Sequence, residues 1–234
     1  TSPLDTKAYF TYIEQHPEFY MFSPSHLEQK DAFNTELMDC GNNRIHGKVY
    51  LKEFLNTYNI TFNPDCSYID EDIGFNMACR MICTQIAHDT NQSRICHYDN
   101  PIVIWMTDMT SLTRIDDFSF YYRQNKGLGL NSIYALEIAL SNNVDINLLL
   151  FELYETFNCL YVFHVGTLNE RQEFINESLE GVYHFYTNFL RKYPINETLF
   201  LKAHNKVIGE FMANDNPFNT KLPTLGIVDF INSL

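Results

Sequence analysis

The spacing of apolar residues divides the chain into a mixed first half and a helical second half. Between positions 71 and 88, Phe75, Cys79, Ile82 and Ile86 follow one another at intervals of four and three residues. These intervals place all four side chains on one face of an α-helix. The pattern therefore predicts a helix over 71–88 with this face buried.

The first half alternates between short helices and short strands. A helix is predicted from Ser2, with Pro3 in its first turn, to the residue before Pro17. A second helix is predicted over 48–58, where apolar side chains share one face. Strands are predicted within "EFYMFSP", "NITFNPDCSYI", "PIVIWM" and "FSFYYR". The segment "AFNTELMDCGNNRI" is ambiguous between helix and strand.

The second half consists of segments with helical periodicity. They are "SIYALEIALSN", "INLLLFELYETFNCLYVF", "ERQEFINESLEGVYHFYTNFLRKY" and "ETLFLKAHNKVIGEFMAN". Just before them, "GLGLN" is interpreted as a turn. No Gly/Pro linker separates the halves, so we predict a soft boundary between a mixed α/β part, 1–131, and a helical part, 132–234.

Composition narrows the class of protein. A chain of 234 residues with 45% hydrophobic content can bury one sizeable core or two small ones. The formal net charge of -13 offers no basic surface for a phosphate backbone. No apolar run approaches a membrane span and no signal-peptide pattern is present, so we expect a soluble, cytoplasmic protein. The six cysteines form no C-x-x-C pair and are expected to be buried thiols.

Three adjacent carboxylates, Asp70, Glu71 and Asp72, stand directly before the predicted helix over 71–88. One interpretation is structural, because the amides and the dipole of a helix N-terminus favour negative charge. The other is catalytic, because a carboxylate at the edge of a pocket can act as a general base. Three carboxylates exceed what a cap needs, but the triplet alone leaves both interpretations open.

Other segments accompany the triplet in a defined order. "GKVY" at 47–50 and "ITF" at 60–62 precede "EDIGF" at 71–75, and "FYYRQNKGLGLNS" comes after it. In this order they resemble the second half of the catalytic domain in family 2-type glycosyltransferases, which have the GT-A fold. The resemblance covers roughly residues 40–135. It implies an α/β fold: a partial GT-A-like mixed sheet with helices, followed by a helical C-terminal region.

The resemblance also implies a reaction and assigns roles to residues. Asp72 matches the general base of the inverting members, which deprotonates an acceptor hydroxyl as it attacks the anomeric carbon of a nucleotide-sugar. Glu71 and Asp70 would line the acceptor side. Lys48 and His46 fall where the family lines its pocket.

The segment "FYYRQN" would complete the substrate site. Arg123 matches the Arg of the family's Tyr-x-Tyr-Arg segment, and is expected to bind substrate. Two residues later the family commonly has a His that can reach the metal, whereas this chain has Asn125, whose carbonyl oxygen is a poorer ligand.

The family's main metal ligands are not evident in this chain. Its members hold Mg²⁺ or Mn²⁺ on an Asp-x-Asp motif, which ends a nucleotide-binding half that we do not find here. The opening "TSPLDTKAYF" resembles the segment that comes directly after that motif in the family. We therefore expect the divalent cation and most of the nucleotide site to come from a missing N-terminal half or a partner subunit, and the chain alone to be potentially inactive.

Two alternatives remain open at the level of sequence. The chain could be a non-catalytic interaction module that kept the fold and uses its aromatic helical half for assembly. It could also be a glycosyltransferase whose acceptor is a modified nucleic-acid base. The acidic net charge argues against that acceptor, and the basic residues Arg114, Arg123 and Lys126 argue for it.

Overall fold

The computed structural model describes residues 5–29, 35–38, 45–66, 70–106 and 118–193, together with 202–203 and 205–206. Within these ranges, the side chains at 26–29, 35–38, 104–106, 118–121 and 169–170 are not described. Arg114 and most of the predicted helix "ETLFLKAHNKVIGEFMAN" lie outside the described residues.

A small mixed sheet is built around one central strand. Its strands are β1 (Met21–Gln29), β2 (Thr35–Met38), β3 (Val49–Tyr50) and β4 (Ile95–Met106). The β4 strand runs parallel to β1, with Met21 opposite Ile95 and Gln29 opposite Met106. The other edge of β1 is shared by β3 at its start and β2 at its end, both antiparallel.

Helix α1 (Thr6–Gln15) covers one face of this sheet. Tyr9 of α1 packs with Phe22 of β1 and Cys96 of β4 in a small separate cluster. The neighbouring strand residues Met21 and Ile95 point the other way, because successive side chains alternate between the faces of a strand. They join the main core, which is helical.

The remaining helices form the main core on the opposite face of the sheet. They are α2 (Lys52–Thr57), α3 (Glu71–Thr90), α4 (Phe118–Ser141), α5 (Leu150–Glu170) and α6 (Ile175–Phe185). Two 3₁₀ turns, Ile146–Leu149 and Gln172–Phe174, lead into α5 and α6, and a π-helical turn, Tyr186–Leu190, follows α6. The core side chains include Leu136, Leu153, Phe157 and Phe185, which are all fully buried.

Glycines permit the close approach of these helices. A Cβ on Gly74 of α3 would lie 2.6 Å from the main-chain oxygen of Asn131 on α4, which is closer than van der Waals contact allows. A Cβ on Gly129 of α4 would fall on the side chain of Leu160 of α5. Both positions therefore favour glycine for packing between helices, despite its cost within a helix.

Two contacts fix the relative direction of α3 and α4. Near its start, α3 places Gly74 against Asn131. Farther along, the side chain of Gln85 accepts a 2.7 Å hydrogen bond from the main-chain amide of Asp145, which follows α4. From the first contact to the second, the residue numbers increase along both helices. Helices α3 and α4 therefore run parallel, and their N-termini lie at the same end.

The structure confirms the mixed α/β class and the two strongest local predictions. The helix predicted over 71–88 is α3, and Phe75, Cys79 and Ile82 are buried. The predicted strand "PIVIWM" is the second half of β4. The finer assignment to a partial GT-A-like sheet stays a prediction.

The predictions for "FSFYYR" and "GLGLN" were wrong. Both segments lie within the single helix α4. Tyr122 packs on Phe163 and Phe174 at ring distances of 4.6 and 4.7 Å, so helices and not strands bury its ring. Gly129 is needed for the contact with Leu160 and not for a turn. Short aromatic runs fit helix and strand alike when only their periodicity is considered.

Several predicted element bounds were also wrong. Residues 60–62 form no strand; the Phe62 ring instead stacks on Phe75 of α3 at 4.4 Å. The helix predicted over 48–58 is shorter, because Val49 and Tyr50 pair with β1 before α2 begins. Helix α1 begins at Thr6, and Asp5 caps it by accepting a 2.9 Å hydrogen bond from the amide of Ala8.

Three further findings bear on organisation. Helix α4 runs without a break through 131 and 132, and the domain boundary placed there stays a prediction. Five of the six cysteines lie in the described part of the chain, and none of these five is in a disulfide. Among the described residues, no helix is long and apolar enough to cross a membrane.

Candidate active site

The acidic triplet lies at the N-terminus of α3, as the sequence predicts. Asp70 is the N-cap residue, and its backbone has a left-handed conformation with φ of 54°. Its main-chain oxygen accepts a 3.2 Å hydrogen bond from the amide of Ile73, but its side chain makes no capping hydrogen bond. Asp70 therefore does not cap the helix with its side chain, which would have been its simplest structural role.

Asp72 is half-buried in the first turn of α3. Burial, followed by the charge of Glu71, raises the pKa of its carboxyl. Hydrogen bonding from the amides of Ile73 and of Asp72 itself, together with the charge of His46, acts in the opposite direction. Asp72 therefore lies close to the amides of the helix start and to His46.

Asp70 lies in a more apolar environment than Asp72. Burial, and then the charges of Asp72 and Glu71, raise the pKa of Asp70 to about 6. Its Oδ2 atom is buried and has no hydrogen-bond partner in the part of the chain that the structure describes. Burial, and then the charges of Glu155 and Asp70, raise the pKa of the Cys159 thiol on α5, so Asp70 lies near this helix.

The two aspartates are therefore in different environments although one residue separates them. Asp72 has amide donors and a histidine nearby, and Asp70 has an apolar surrounding. Neighbouring carboxylates in unlike environments are typical of sites where one group stays ionised and the other holds a proton near neutral pH. The arrangement supports acid–base chemistry at this helix start.

The loop before β3 brings His46 and Lys48 to α3. His46 is exposed and lies close enough to Asp72 for its charge to act on that carboxyl. Lys48 is 8% exposed and lies near Cys79, about two helical turns beyond the triplet. Burial raises the pKa of the Cys79 thiol, and the charge of Lys48 partly opposes this rise. The structure therefore brings His46 to the acidic triplet at the start of α3 and places Lys48 farther along the same helix.

This loop is held in place by the sheet and by α3. Gly47 has a positive φ of 73°, and a Cβ there would lie 2.8 Å from Val103 of β4. Tyr50 donates a hydrogen bond to the side chain of Asn76, which is fully buried in α3. Gly47 and Tyr50 therefore fix the path of the backbone on both sides of Lys48.

An aromatic side chain that sequence reasoning missed lies beside the triplet. Phe62 is 43% exposed and its ring stacks on that of Phe75, which in turn meets the edge of Tyr50 at 5.1 Å. Phe75 follows Glu71 by four residues and Asp72 by three, so all three share one face of α3. The sequence pattern predicts a strand at Phe62, and only the contact across the loop reveals its position.

Arg123 and Asn125 lie at the same end of the molecule, on the early turns of α4. Arg123 is exposed and Asn125 is half-buried. They precede Asn131 by eight and six residues, or about 12 and 9 Å along the helix axis. Because α3 and α4 run parallel, both residues lie beyond the point where Gly74 meets Asn131, towards the N-termini of the two helices.

The residues at this helix end do not by themselves fit a divalent cation site. No group of three His, Cys, Asp or Glu side chains suited to a metal ion occurs among the described residues. Asn125 is a single neutral ligand, and Asp70 and Asp72 lie in different environments. The prediction that the main metal ligands come from outside this chain stays a prediction.

A second polar pair, His164 and Ser178, is structural. The His164 Nδ1 atom lies 2.8 Å from the Ser178 hydroxyl, which donates to the main-chain oxygen of Ile175. Both side chains are buried between α5 and α6, and burial lowers the pKa of His164. A substrate cannot reach a fully buried hydroxyl, so this pair is not a candidate nucleophile and base.

A scan against protein-family models and searches of curated proteins and of solved structures found no match to this chain.

Proposed function

We propose that the chain is the acceptor-side part of an inverting glycosyltransferase, with Asp72 as its general base. The observation that supports this most is the placement of Asp72, half-buried on the first turn of α3 with a raised pKa and with His46 beside it. A base needs a fixed position and a pKa shifted towards the working pH. Both are present at this position.

In the proposed reaction Asp72 takes the proton of an acceptor hydroxyl. The hydroxyl oxygen forms a bond to the anomeric carbon of the sugar, on the face opposite the nucleoside diphosphate. The bond from that carbon to the diphosphate oxygen breaks, and the leaving group keeps the electron pair. Asp72 ends the step protonated, and the configuration at the anomeric carbon is inverted.

Glu71 and Asp70 are proposed to orient the acceptor. With a pKa of about 6, Asp70 is partly protonated just below neutral pH and can then donate a hydrogen bond to an acceptor oxygen. Lys48, His46 and Arg123 are proposed to bind substrate, and the positive charges of Lys48 and Arg123 would favour the donor diphosphate. A Mg²⁺ or Mn²⁺ ion would supply further neutralisation of the diphosphate, and we propose that its ligands lie in a nucleotide-binding half outside this chain.

A screen of nucleotide-sugars tests the proposal. The intact gene product that carries this chain is incubated with Mn²⁺ or Mg²⁺, a set of UDP-, GDP- and dTDP-sugars, and simple glycoside acceptors. We expect release of nucleoside diphosphate with one of these donors. The anomeric configuration of the product, read by NMR, is expected to be opposite to that of the donor.

The other outcomes separate the alternatives. Retention of configuration would contradict a base at Asp72. Transfer to DNA or RNA containing a hydroxymethylated base, but not to glycosides, would favour the nucleic-acid acceptor. Neither binding nor hydrolysis of any donor by the intact gene product would favour a non-catalytic assembly module.

A further inference from the structure

A groove lies between α1 and the first half of β4, on the sheet face opposite the main helical core. Its volume is about 630 Å³, and it shares no residue with the acidic triplet. This volume falls within the range that small-molecule sites of proteins occupy.

A distortion of β4 shapes one wall of this groove. Along the sheet, Pro24 of β1 is opposite Tyr98, but Ser25 is opposite Pro101. Asp99 and Asn100 are therefore extra residues in β4, and both are exposed and line the groove. Bulges of this kind redirect side chains and are frequent next to binding sites.

Tyrosine rings contribute the apolar part of the groove. Tyr12 and Tyr98 line it, with ring centroids 5.1 Å apart. Tyr98 is supported from below by the buried ring of Tyr9 at 4.8 Å. The Tyr12 hydroxyl lies 3.5 Å from the Cys96 thiol, which holds this ring against the sheet. The two rings therefore present a pre-organised surface and lose little entropy when a ligand binds.

Polar side chains surround these rings. Asp5, Lys7, Thr11 and Gln15 of the α1 segment face His97, Asp99 and Asn100 of β4. Carboxylates and amides present two acceptors, or an acceptor and donors, in one plane. This geometry suits vicinal hydroxyl groups, each of which donates and accepts, while the carbon–hydrogen face of a sugar ring packs on an aromatic ring.

We propose that this groove binds a neutral oligosaccharide. The groove is lined by two carboxylates, Asp5 and Asp99, and by one lysine, Lys7, so its charge balance is acidic and disfavours phosphorylated or acidic glycans. The tyrosines favour a ring with an apolar face over a flexible polar chain. The proposal does not depend on the transferase reaction, because the groove and the triplet lie on opposite faces of the sheet.

NMR titration of the ¹⁵N-labelled chain tests the proposal. The probes are maltotriose, cellotriose, chitotriose and, as a cationic competitor, spermidine. At least one trisaccharide is expected to shift the amide signals of Thr11, His97 and Asn100 in a saturable manner. The double variant Asp99→Ala/Asn100→Ala changes only exposed side chains and is expected to weaken this binding roughly tenfold or more.

Matched variants complete the test. Tyr98→Phe keeps the ring and is expected to retain binding, whereas Tyr98→Ala is expected to lose it, with circular dichroism used to check the fold. Glu71→Gln, at the triplet, should leave groove binding unchanged even if it impairs transfer. The proposal is overturned if no trisaccharide shifts these signals, if spermidine alone does so, or if the double variant binds as tightly as the wild type.

Discussion

Replacing Asp70 with Asn should stabilise the protein at neutral pH. The Oδ2 atom of Asp70 is buried without a hydrogen-bond partner in the described part of the chain, and Glu71 and Asp72 are adjacent like charges. Burial and these charges raise the pKa of Asp70 to about 6 from its ordinary value of 3.8. The folded state therefore binds this proton more tightly than the unfolded state, and the ionised side chain destabilises the fold.

The magnitude follows from the two pKa values of Asp70. The difference between 3.8 and about 6 corresponds to about 3 kcal/mol at ~1.36 kcal/mol per pKa unit. Because the side chain is partly exposed, solvent screening reduces this value, and we expect about 1.5 kcal/mol. For a protein of this size, that is a rise in Tm of about 3–6 °C.

The pH dependence distinguishes this cause from others. The gain in the free energy of unfolding should be complete above about pH 7, decrease as the pH falls through 6, and disappear below 3.8. Asn also tolerates the left-handed backbone of this position, but that contribution does not vary with pH. The assay is urea unfolding of both proteins at several pH values, monitored by circular dichroism.

Asp89→Asn is the matched control for this experiment. Asp89 is exposed near the other end of α3, and hydrogen bonds from Gln85 and then His88 lower its pKa. Its ionised form therefore stabilises the fold, so Asp89→Asn should destabilise at neutral pH and lose this effect as the pH falls through the lowered pKa. A gain for Asp70→Asn that does not change with pH, or a loss at pH 7, would refute the reasoning.

Two further predictions concern packing around the site. Gly74→Ala should lower the free energy of unfolding by about 1–3 kcal/mol, because its Cβ would meet the backbone of α4. Gly166→Ala has no neighbouring atom within 4 Å of its Cβ and should stabilise its helix by up to about 1 kcal/mol. Thermal unfolding of both variants measures this, and equal effects would contradict the packing. Tyr50→Phe should lower the free energy of unfolding by about 1–3 kcal/mol, because it removes the hydrogen bond to the buried side-chain amide of Asn76. Tyr134→Phe removes only an exposed hydrogen bond with the Thr61 hydroxyl and should change the free energy of unfolding little. A cost for Tyr134→Phe as large as that for Tyr50→Phe would refute this assignment.

The strongly periodic parts of the fold could be predicted from the sequence. Helix α3 has an apolar stripe about three turns long with carboxylates at its start, and local spacing is sufficient to identify it. The run "PIVIWM" is apolar and short, with a proline at its start, which favours a strand. Both signals are local and do not depend on what packs against them.

The errors occur where long-range contacts decide the structure. The "GLGLN" segment has the composition of a turn, but Gly129 is a contact point for Leu160, which lies 31 residues farther along the chain. Phe62 pairs with Phe75 across a loop and not with a strand. Local patterns carry no information about such partners, and tertiary packing overrides propensity at these positions.

The candidate site, like the fold, has features that the sequence predicts and features that depend on long-range contacts. The adjacency of Asp70, Glu71 and Asp72 is visible in the sequence, but the different environments of the two aspartates depend on the distant residues His46 and Cys159. Likewise, the groove beside α1 depends on the register shift in β4, and no local sequence pattern predicts this shift.

Kinetics of an Asp72→Asn variant test the central claim most directly. With the donor found by the nucleotide-sugar screen, kcat for transfer should fall by about 10²-fold or more, the usual contribution of a general base, while the Kd for the donor stays nearly unchanged. Asp89→Asn, on the same helix, is the control and should keep full activity. In the wild type, the acid limb of kcat/KM should lie above the ordinary aspartate pKa of 3.8, since burial raises the pKa of Asp72. Turnover by Asp72→Asn equal to that of the wild type would contradict the account and return the triplet to a purely structural role.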